Sequence, residues 1–261
     1  SSFTKARRLV KSFAPDVVVG TGGYASGPTL RAAAGMGIPT LIQEQNSFPG
    51  ITNKMLAGKA KKICVAFKGM ERFFPADKIL LTGNPVRKDI IDVSAKKQEA
   101  LSFFKFDSNR KTLLVIGGSL GARTINESIL ACMQQLEESG IQVIWQTGKN
   151  MGTLAEEMVK AAHLKYIFPS TFINRMDLAY AAADLVVSRA GAISVSELCV
   201  TGKAVILVPS PNVAEDHQTK NAMALVKEGG AVLVKDSEAV EKLSNQILDL
   251  FNSESGRAQL S

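Results

Sequence analysis

The sequence predicts an α/β protein of two parallel-sheet domains, and three observations carry that prediction. Short apolar runs such as Thr112-Leu-Leu-Val-Ile116, Leu185-Val-Val187 and Ala204-Val-Ile-Leu-Val208 alternate with segments of helical periodicity, the pattern of buried parallel strands. Several of these runs enter glycine turns, at Gly20, Gly83, Gly117 and Gly191. The pattern weakens over residues 88–109 and then restarts, which sets domains at 1–92 and 93–261.

The chain has 261 residues with 46% hydrophobic content, enough for a large core. No apolar stretch approaches the roughly 18 residues of a membrane span, and Ser1 is not followed by a basic-then-apolar signal segment. Cys64, Cys132 and Cys199 are odd in number and widely spaced, so they read as buried thiols in a reducing compartment. Charge is uneven: residues 1–92 hold 14 Lys+Arg against 6 Asp+Glu, whereas 93–261 hold 17 against 18. An anionic partner that touches only the first third would fit, either nucleic acid or an anionic membrane; a solvated basic face fits equally. Nucleic acid is disfavoured, because no aromatics interleave the basic residues and no reading motif is present.

In chain order, Phe3, Ala6, Val10 and Phe13 share a helical stripe, with Lys5, Arg7, Arg8 and Lys11 around it, giving a basic amphipathic helix that Pro15 ends. Residues 16–20 read as a buried strand, about 27–34 as a helix of small residues, and 40–43 as the next strand, a βαβ unit. Residues 44–50 form a polar loop, 51–62 a short basic helix, and 63–67 and 79–81 further strands. Asn84-Pro85 after Gly83 makes a rigid turn that holds Arg87. The second half reads as strands 112–116, 141–145, 165–168, 185–187, 204–208 and 231–234. Helices are expected at 124–139, 152–162, 176–183, 218–228 and 237–251.

Residues 184–202 hold the strongest candidate site. A strand runs through Ser188-Arg-Ala-Gly191 into a helix, whose opening amides and dipole suit a phosphate or diphosphate. Ser194 stands three residues before Glu197, the spacing of a helix-start capping box. On local pattern Glu197 is thus either a cap for its own helix or a ligand group. The turn Gly117-Gly118-Ser119-Leu120-Gly121 is not the GxGxxG of dinucleotide folds, and the following strand ends without an acidic residue, which excludes NAD. The turn also lacks the Lys-Ser/Thr ending of an ATP loop. His163 reads as a surface residue; His217 lies in the loop after strand 204–208, and neither has metal-ligand spacing to a partner. No GxSxG elbow serves Ser188, Ser194 or Ser196 and no His–carboxylate set can be assigned to them, which disfavours a serine hydrolase. A cleft lined by glycine turns and helix starts, suited to a nucleotide-diphosphate donor, is what remains.

Taken in order, Gly20-Thr-Gly-Gly-Tyr-Ala-Ser-Gly-Pro28, Glu44-Gln-Asn46, Pro49-Gly-Ile-Thr-Asn53, Gly83-Asn-Pro-Val-Arg87, Gly117-Gly-Ser-Leu-Gly-Ala-Arg123, Phe172-Ile173, Ser188-Arg-Ala-Gly-Ala192, Ser196-Glu197, Asp216-His-Gln218 and Asn221-Ala222 closely resemble the MurG family of bacterial N-acetylglucosaminyltransferases of peptidoglycan synthesis. The resemblance runs from about residue 5 to 235. It implies a GT-B fold of two Rossmann-like domains facing a cleft, the first incomplete. It also implies inverting transfer of N-acetylglucosamine from UDP-N-acetylglucosamine to undecaprenyl-diphosphate-linked muramyl-pentapeptide, converting lipid I to lipid II. By motif, Ser119 and the start of the helix, Ala192, Ile193, Ser194, Val195 and Ser196, would hold the donor diphosphate. Glu197 would take the ribose hydroxyls, which decides between its two readings in favour of the ligand. Ile173 would receive uracil through its backbone, and Gln218 with Asn46 would orient the sugar. Arg87 would neutralise the leaving UDP, with Arg189 a second candidate. No metal or other cofactor is implied.

The family's first glycine-rich loop and its histidine precede the residues present, so no general base is assigned and the piece is expected to be inactive alone. The family's last helix is also cut short, and Gln43 stands where the family often has His. The resemblance further implies peripheral attachment to the anionic inner-membrane surface, on the cytoplasmic face, through Phe3 and Met36 with Lys5, Arg7, Arg8 and Lys11. Two other classes compete: a related UDP-N-acetylglucosamine 2-epimerase, and a non-catalytic donor-binding subunit, against which the Asn46 and Arg87 motifs argue.

Overall fold

The computed structural model describes residues 2–260. The chain divides into two compact units, Ser1–Pro85 and Val86–Ser261. The division falls just before the weakly patterned 88–109 stretch and earlier than the 92/93 boundary expected. Its cause is burial: Ile90 and Val93 are covered, and the single turns Lys88–Ile90 and Ser94–Lys96 pack on the helix Met176–Ala182 of the second unit.

The first unit contains α1 (Ser2–Phe13), β1 (Val18–Gly20), α2 (Ser26–Gly35), β2 (Thr40–Glu44), α3 (Ile51–Ala57), β3 (Lys62–Val65) and β4 (Ile79–Leu81). Its strands are all parallel and lie in the order β1-β2-β3-β4. In β2, Thr40, Ile42 and Glu44 are buried and alternate with half-buried Leu41 and Gln43, as the two-residue period of a strand requires. Ile42 joins Leu30, Leu56, Ile63 and Val65 in the core, and α1 buries Ala6 and Val10. The expectation of a buried strand at 16–20 fails in part. Val17 and Val19 are more than half exposed, because β1 is the edge strand among the described residues.

The second unit contains α4 (Lys97–Phe104), β5 (Thr112–Ile116), α5 (Arg123–Glu138), β6 (Gln142–Gln146), α6 (Gly152–Ala161), β7 (Ile167–Ser170), α7 (Met176–Ala182), β8 (Leu185–Ser188), α8 (Ala192–Thr201), β9 (Val205–Leu207), α9 (His217–Lys227), β10 (Val232–Leu233), α10 (Ala239–Asn252) and α11 (Glu254–Gln259). Six parallel strands lie in the order β7-β6-β5-β8-β9-β10, the doubly wound arrangement. The chain steps outward from β5 through β6 to β7 and then returns to place β8 on β5's other side. That reversal opens a crevice beyond the carboxyl ends of β5 and β8. Every residue of β5, β6 and β8 is buried, with Leu113, Val115, Trp145, Leu185 and Val187 in one continuous core. No helix of the described residues is long and apolar enough to cross a membrane.

Two helices, α4 and α11, were not expected from the sequence. The cysteine expectation is also corrected: Cys132 is buried, Cys64 half-buried and Cys199 exposed. Burial pushes the Cys132 thiol up to about 11.

Candidate functional site

The crevice of the second unit is built by register. Ile116, the last residue of β5, pairs with Ser188, the last of β8, so the glycine turn at 117–121 and the Arg189-Ala190-Gly191 turn leave the sheet side by side. Exposed Ser119 lies at the tip of the first turn. That turn sits directly on the Thr147-Gly148 turn after β6. Gly121 (φ 81°) and Gly148 (φ 75°) approach so closely that a Cβ on either would overlap the other turn's backbone. Gln146 joins two loops: its amide donates to the Gly118 carbonyl (3.0 Å), and its Oε1 accepts from the Ile173 N–H (3.1 Å). Ile173 is buried, and its N–H is committed to Gln146. Asn126, buried at the start of α5, donates to the Thr147 carbonyl and accepts from Trp145 Nε1 (3.0 Å), which fixes the helix to the same turn.

At the second turn, Gly191 is extended (φ −63°, ψ 147°) and serves as the residue before α8. Ser194 is therefore the third residue inside the helix, and the capping box expected of Ser194 and Glu197 does not form. Val195 N–H makes the first helical bond, to the Gly191 carbonyl (2.9 Å), so the amides of Ile193 and Ser194 precede the hydrogen-bonded ladder. Val195 itself is buried with that N–H used, which removes it from the groups that can meet a ligand. The Ser196 hydroxyl bonds back to the Ala192 carbonyl (2.9 Å).

Glu197, one turn further along α8, has a side chain only 14% exposed. Its Oε2 accepts from the Tyr180 hydroxyl (3.2 Å), and its Oε1 lies 3.4 Å from Arg87 Nε. Tyr180 is itself buried in α7; desolvation first, then the Glu197 charge, push its phenol far above the usual range. It is thus a neutral donor at any working pH. Sequence reasoning missed Tyr180, although a lone tyrosine in the run Met176-Asp-Leu-Ala-Tyr-Ala-Ala182 is a hydroxyl in need of a buried partner.

Arg189 is committed to neighbouring segments of the second unit. Its guanidinium donates to the Val208 carbonyl (3.0 Å) and to Asp236, whose other oxygen accepts from the Thr124 hydroxyl (2.9 Å). Arg189 therefore clamps the ends of β8 and β9 to the start of α5, which corrects its candidacy as a leaving-group neutraliser. Gln218 Oε1 accepts from Ala190 N–H (3.2 Å) and Ser210 N–H (2.9 Å), which commits its oxygen to the backbone and orients the side chain.

In the first unit, Asn46 sits in a loop organised by the buried Glu44 carboxylate. That carboxylate accepts from Asn46 N–H (3.0 Å), Gly50 N–H (3.2 Å) and Asn53 Nδ2 (2.7 Å). Gln43 donates from its amide to Asn84 Oδ1 (2.8 Å) and accepts from Gln45 Nε2 on its Oε1.

Residues 112–261 match the glycosyltransferase family 28 C-terminal domain, and residues 1–65 match the glycosyltransferase family 28 N-terminal domain. The chain is 56% identical over 260 residues to the UDP-N-acetylglucosamine–N-acetylmuramyl-(pentapeptide) pyrophosphoryl-undecaprenol N-acetylglucosamine transferase of Parabacteroides distasonis, covering 100% of this chain and 71% of that protein. It is 53% identical over 261 residues to the enzyme of the same name from Porphyromonas gingivalis W83, of which it covers 69%. Among solved structures it is similar to Acinetobacter baumannii MurG, with a TM-score of 0.80 at 31% identity over 99% of this chain and 71% of that one. The UDP-GlcNAc 2-epimerase of Neisseria meningitidis, solved with UDP-GlcNAc, shares the fold alone, with a TM-score of 0.67 at 13% identity over 99% of this chain and 74% of that one.

Proposed function

The chain belongs to glycosyltransferase family 28 and has the GT-B fold of two parallel α/β units, and from that premise we propose how its second unit engages a sugar nucleotide. The reaction is transfer of N-acetylglucosamine from UDP-N-acetylglucosamine to muramyl-pentapeptide on undecaprenyl diphosphate, lipid I to lipid II. The observation that carries the donor assignment is the Glu197 carboxylate, largely shielded from water one helical turn beyond the opening amides of α8. A turn of helix rises about 5.4 Å, which matches the step from a diphosphate to its ribose. The α8 amides of Ala192, Ile193 and Ser194, with Ser119 from the neighbouring turn, take the diphosphate. Glu197 accepts both ribose hydroxyls, and the Ile173 carbonyl accepts from the uracil ring N–H. The Gln218 amide donates to a sugar hydroxyl.

Arg87 supplies positive charge to the departing diphosphate. Charge that a metal would otherwise balance is met by the α8 dipole and this guanidinium, so the proposal uses no metal or other cofactor. Titrating UDP-N-acetylglucosamine against the protein and Glu197→Ala, with UDP-glucose in parallel, tests the site. Loss of two hydrogen bonds to a carboxylate predicts binding weaker by about tenfold or more for both nucleotides, and equal affinities would contradict the assignment.

The same premise supports peripheral binding to an anionic membrane through the first unit. Lys5, Arg7, Arg8 and Lys11 are exposed around α1, and Phe13 is 82% exposed at its end. Met36 is half-buried beyond α2, and Phe3 lies beside Arg31, whose guanidinium is 5.5 Å from the ring centre. Each basic side chain at such a surface contributes about 1 kcal/mol. Flotation with vesicles should rise with anionic lipid and fall when the four cations of α1 become Gln; binding indifferent to lipid charge would remove the proposal.

A further inference from the structure

Glu197 has two partners of different kinds. Arg87 approaches Oε1 on a long side chain that is 49% exposed, whereas Tyr180 approaches Oε2 from within the core, on a ring that is 1% exposed. Asp177 to Ala182 are all buried, so the ring has no room to leave its place in α7. We propose that Tyr180 is a positioning residue for ribose recognition: its hydroxyl fixes Glu197 in the rotamer that meets the ribose diol. The inference rests on the reading of Glu197 as the ribose acceptor and deepens it.

A free glutamate side chain must be ordered before it can accept from two hydroxyls at once, and that ordering opposes binding. A rigid donor on one oxygen does part of the ordering in advance. Because the phenol is neutral, it orients the carboxylate without cancelling the charge that attracts the hydroxyls. Arg87 cannot fill this role, since the diphosphate would draw the same guanidinium away. Once it has turned, Tyr180 is the partner that stays on Glu197.

The test compares dissociation constants of UDP-N-acetylglucosamine and its 2′-deoxyuridine analogue for the wild type, Tyr180→Phe, Glu197→Ala and the double variant. The proposal expects the preference for the ribo form to fall by about threefold to tenfold in Tyr180→Phe, with the deoxy form bound within about twofold of wild type. In the Glu197→Ala background the same change should have no further effect on the preference. An undiminished preference in Tyr180→Phe would overturn the inference alone. Equal weakening of both ligands would overturn it too, by making the tyrosine a support of the fold. A wild type without any preference would remove the ribose reading of Glu197 and the inference with it.

Discussion

Arg87 Nε lies 3.4 Å from Glu197 Oε1, so the residue assigned to the departing diphosphate is held on the residue assigned to the ribose. With Arg87 half exposed, the pair contributes only about 0–1 kcal/mol, and a doubly charged ligand can part it easily. Arg87→Ala should therefore leave thermal stability almost unchanged. It should weaken UDP by about tenfold while leaving uridine alone. Equal weakening of UDP and uridine, read by calorimetric titration, would place Arg87 away from the diphosphate.

The Arg189–Asp236–Thr124 clamp predicts a stability effect instead. Arg189 is 13% and Asp236 18% exposed at the side chain, so Asp236→Ala strands a nearly buried cation. The expected loss is about 2–3 kcal/mol, at the low end for a broken buried pair because some water reaches it. Urea unfolding measures it, and a loss below about 0.5 kcal/mol would show that the clamp bears nothing.

Gly148→Ala should fail on two grounds at once. Its φ of 75° disfavours any Cβ, and the Cβ would meet the backbone of Leu120 and Gly121. A loss of about 2 kcal/mol or more is expected, together with weaker UDP binding because the Ser119 turn must move. Unfolding and titration on one sample check both, and normal values would show the turns to be loosely packed.

The acid limb of stability should contain Asp177. Hydrogen bonds from Arg175, first, and Lys96 hold its carboxyl well below the usual range, against the opposing effect of burial. A depressed value in the folded state gives stability that is complete above the ordinary aspartate pKa of about 4 and lost as pH falls through the folded value. The melting temperature of Asp177→Asn should accordingly be lower at neutral pH and vary less below about pH 4. An acid limb as steep as wild type would exclude this residue.

Much of this was legible in residue order, for physical reasons. Strands covered on both faces must be continuous apolar runs, so β5, β6 and β8 announce themselves, and the glycines after β5 and β8 mark the turns beside the crevice. Helix α4 escaped because it buries only Ala100, and α11 because it buries nothing, so neither carries a clear periodic stripe. Strand β7 begins later than expected because the amides of Lys165 and Tyr166 are taken by the Glu137 carboxylate (both 2.8 Å). At the site, Ser119, Glu197 and Gln218 sit on turns and helices whose pattern is local. Tyr180, Gln146 and Asp236 act across distant segments, and no spacing in the chain records which partner each will meet.

The most direct measurement of the central claim, that Glu197 reads the ribose, is to titrate UDP and inorganic diphosphate against the protein and Glu197→Gln. That change keeps the side chain's size and removes its charge. The account predicts UDP binding weaker by about tenfold or more in the variant, with inorganic diphosphate bound as well as before or slightly better. UDP affinity within about twofold of wild type, or a loss shared equally by diphosphate, would contradict it.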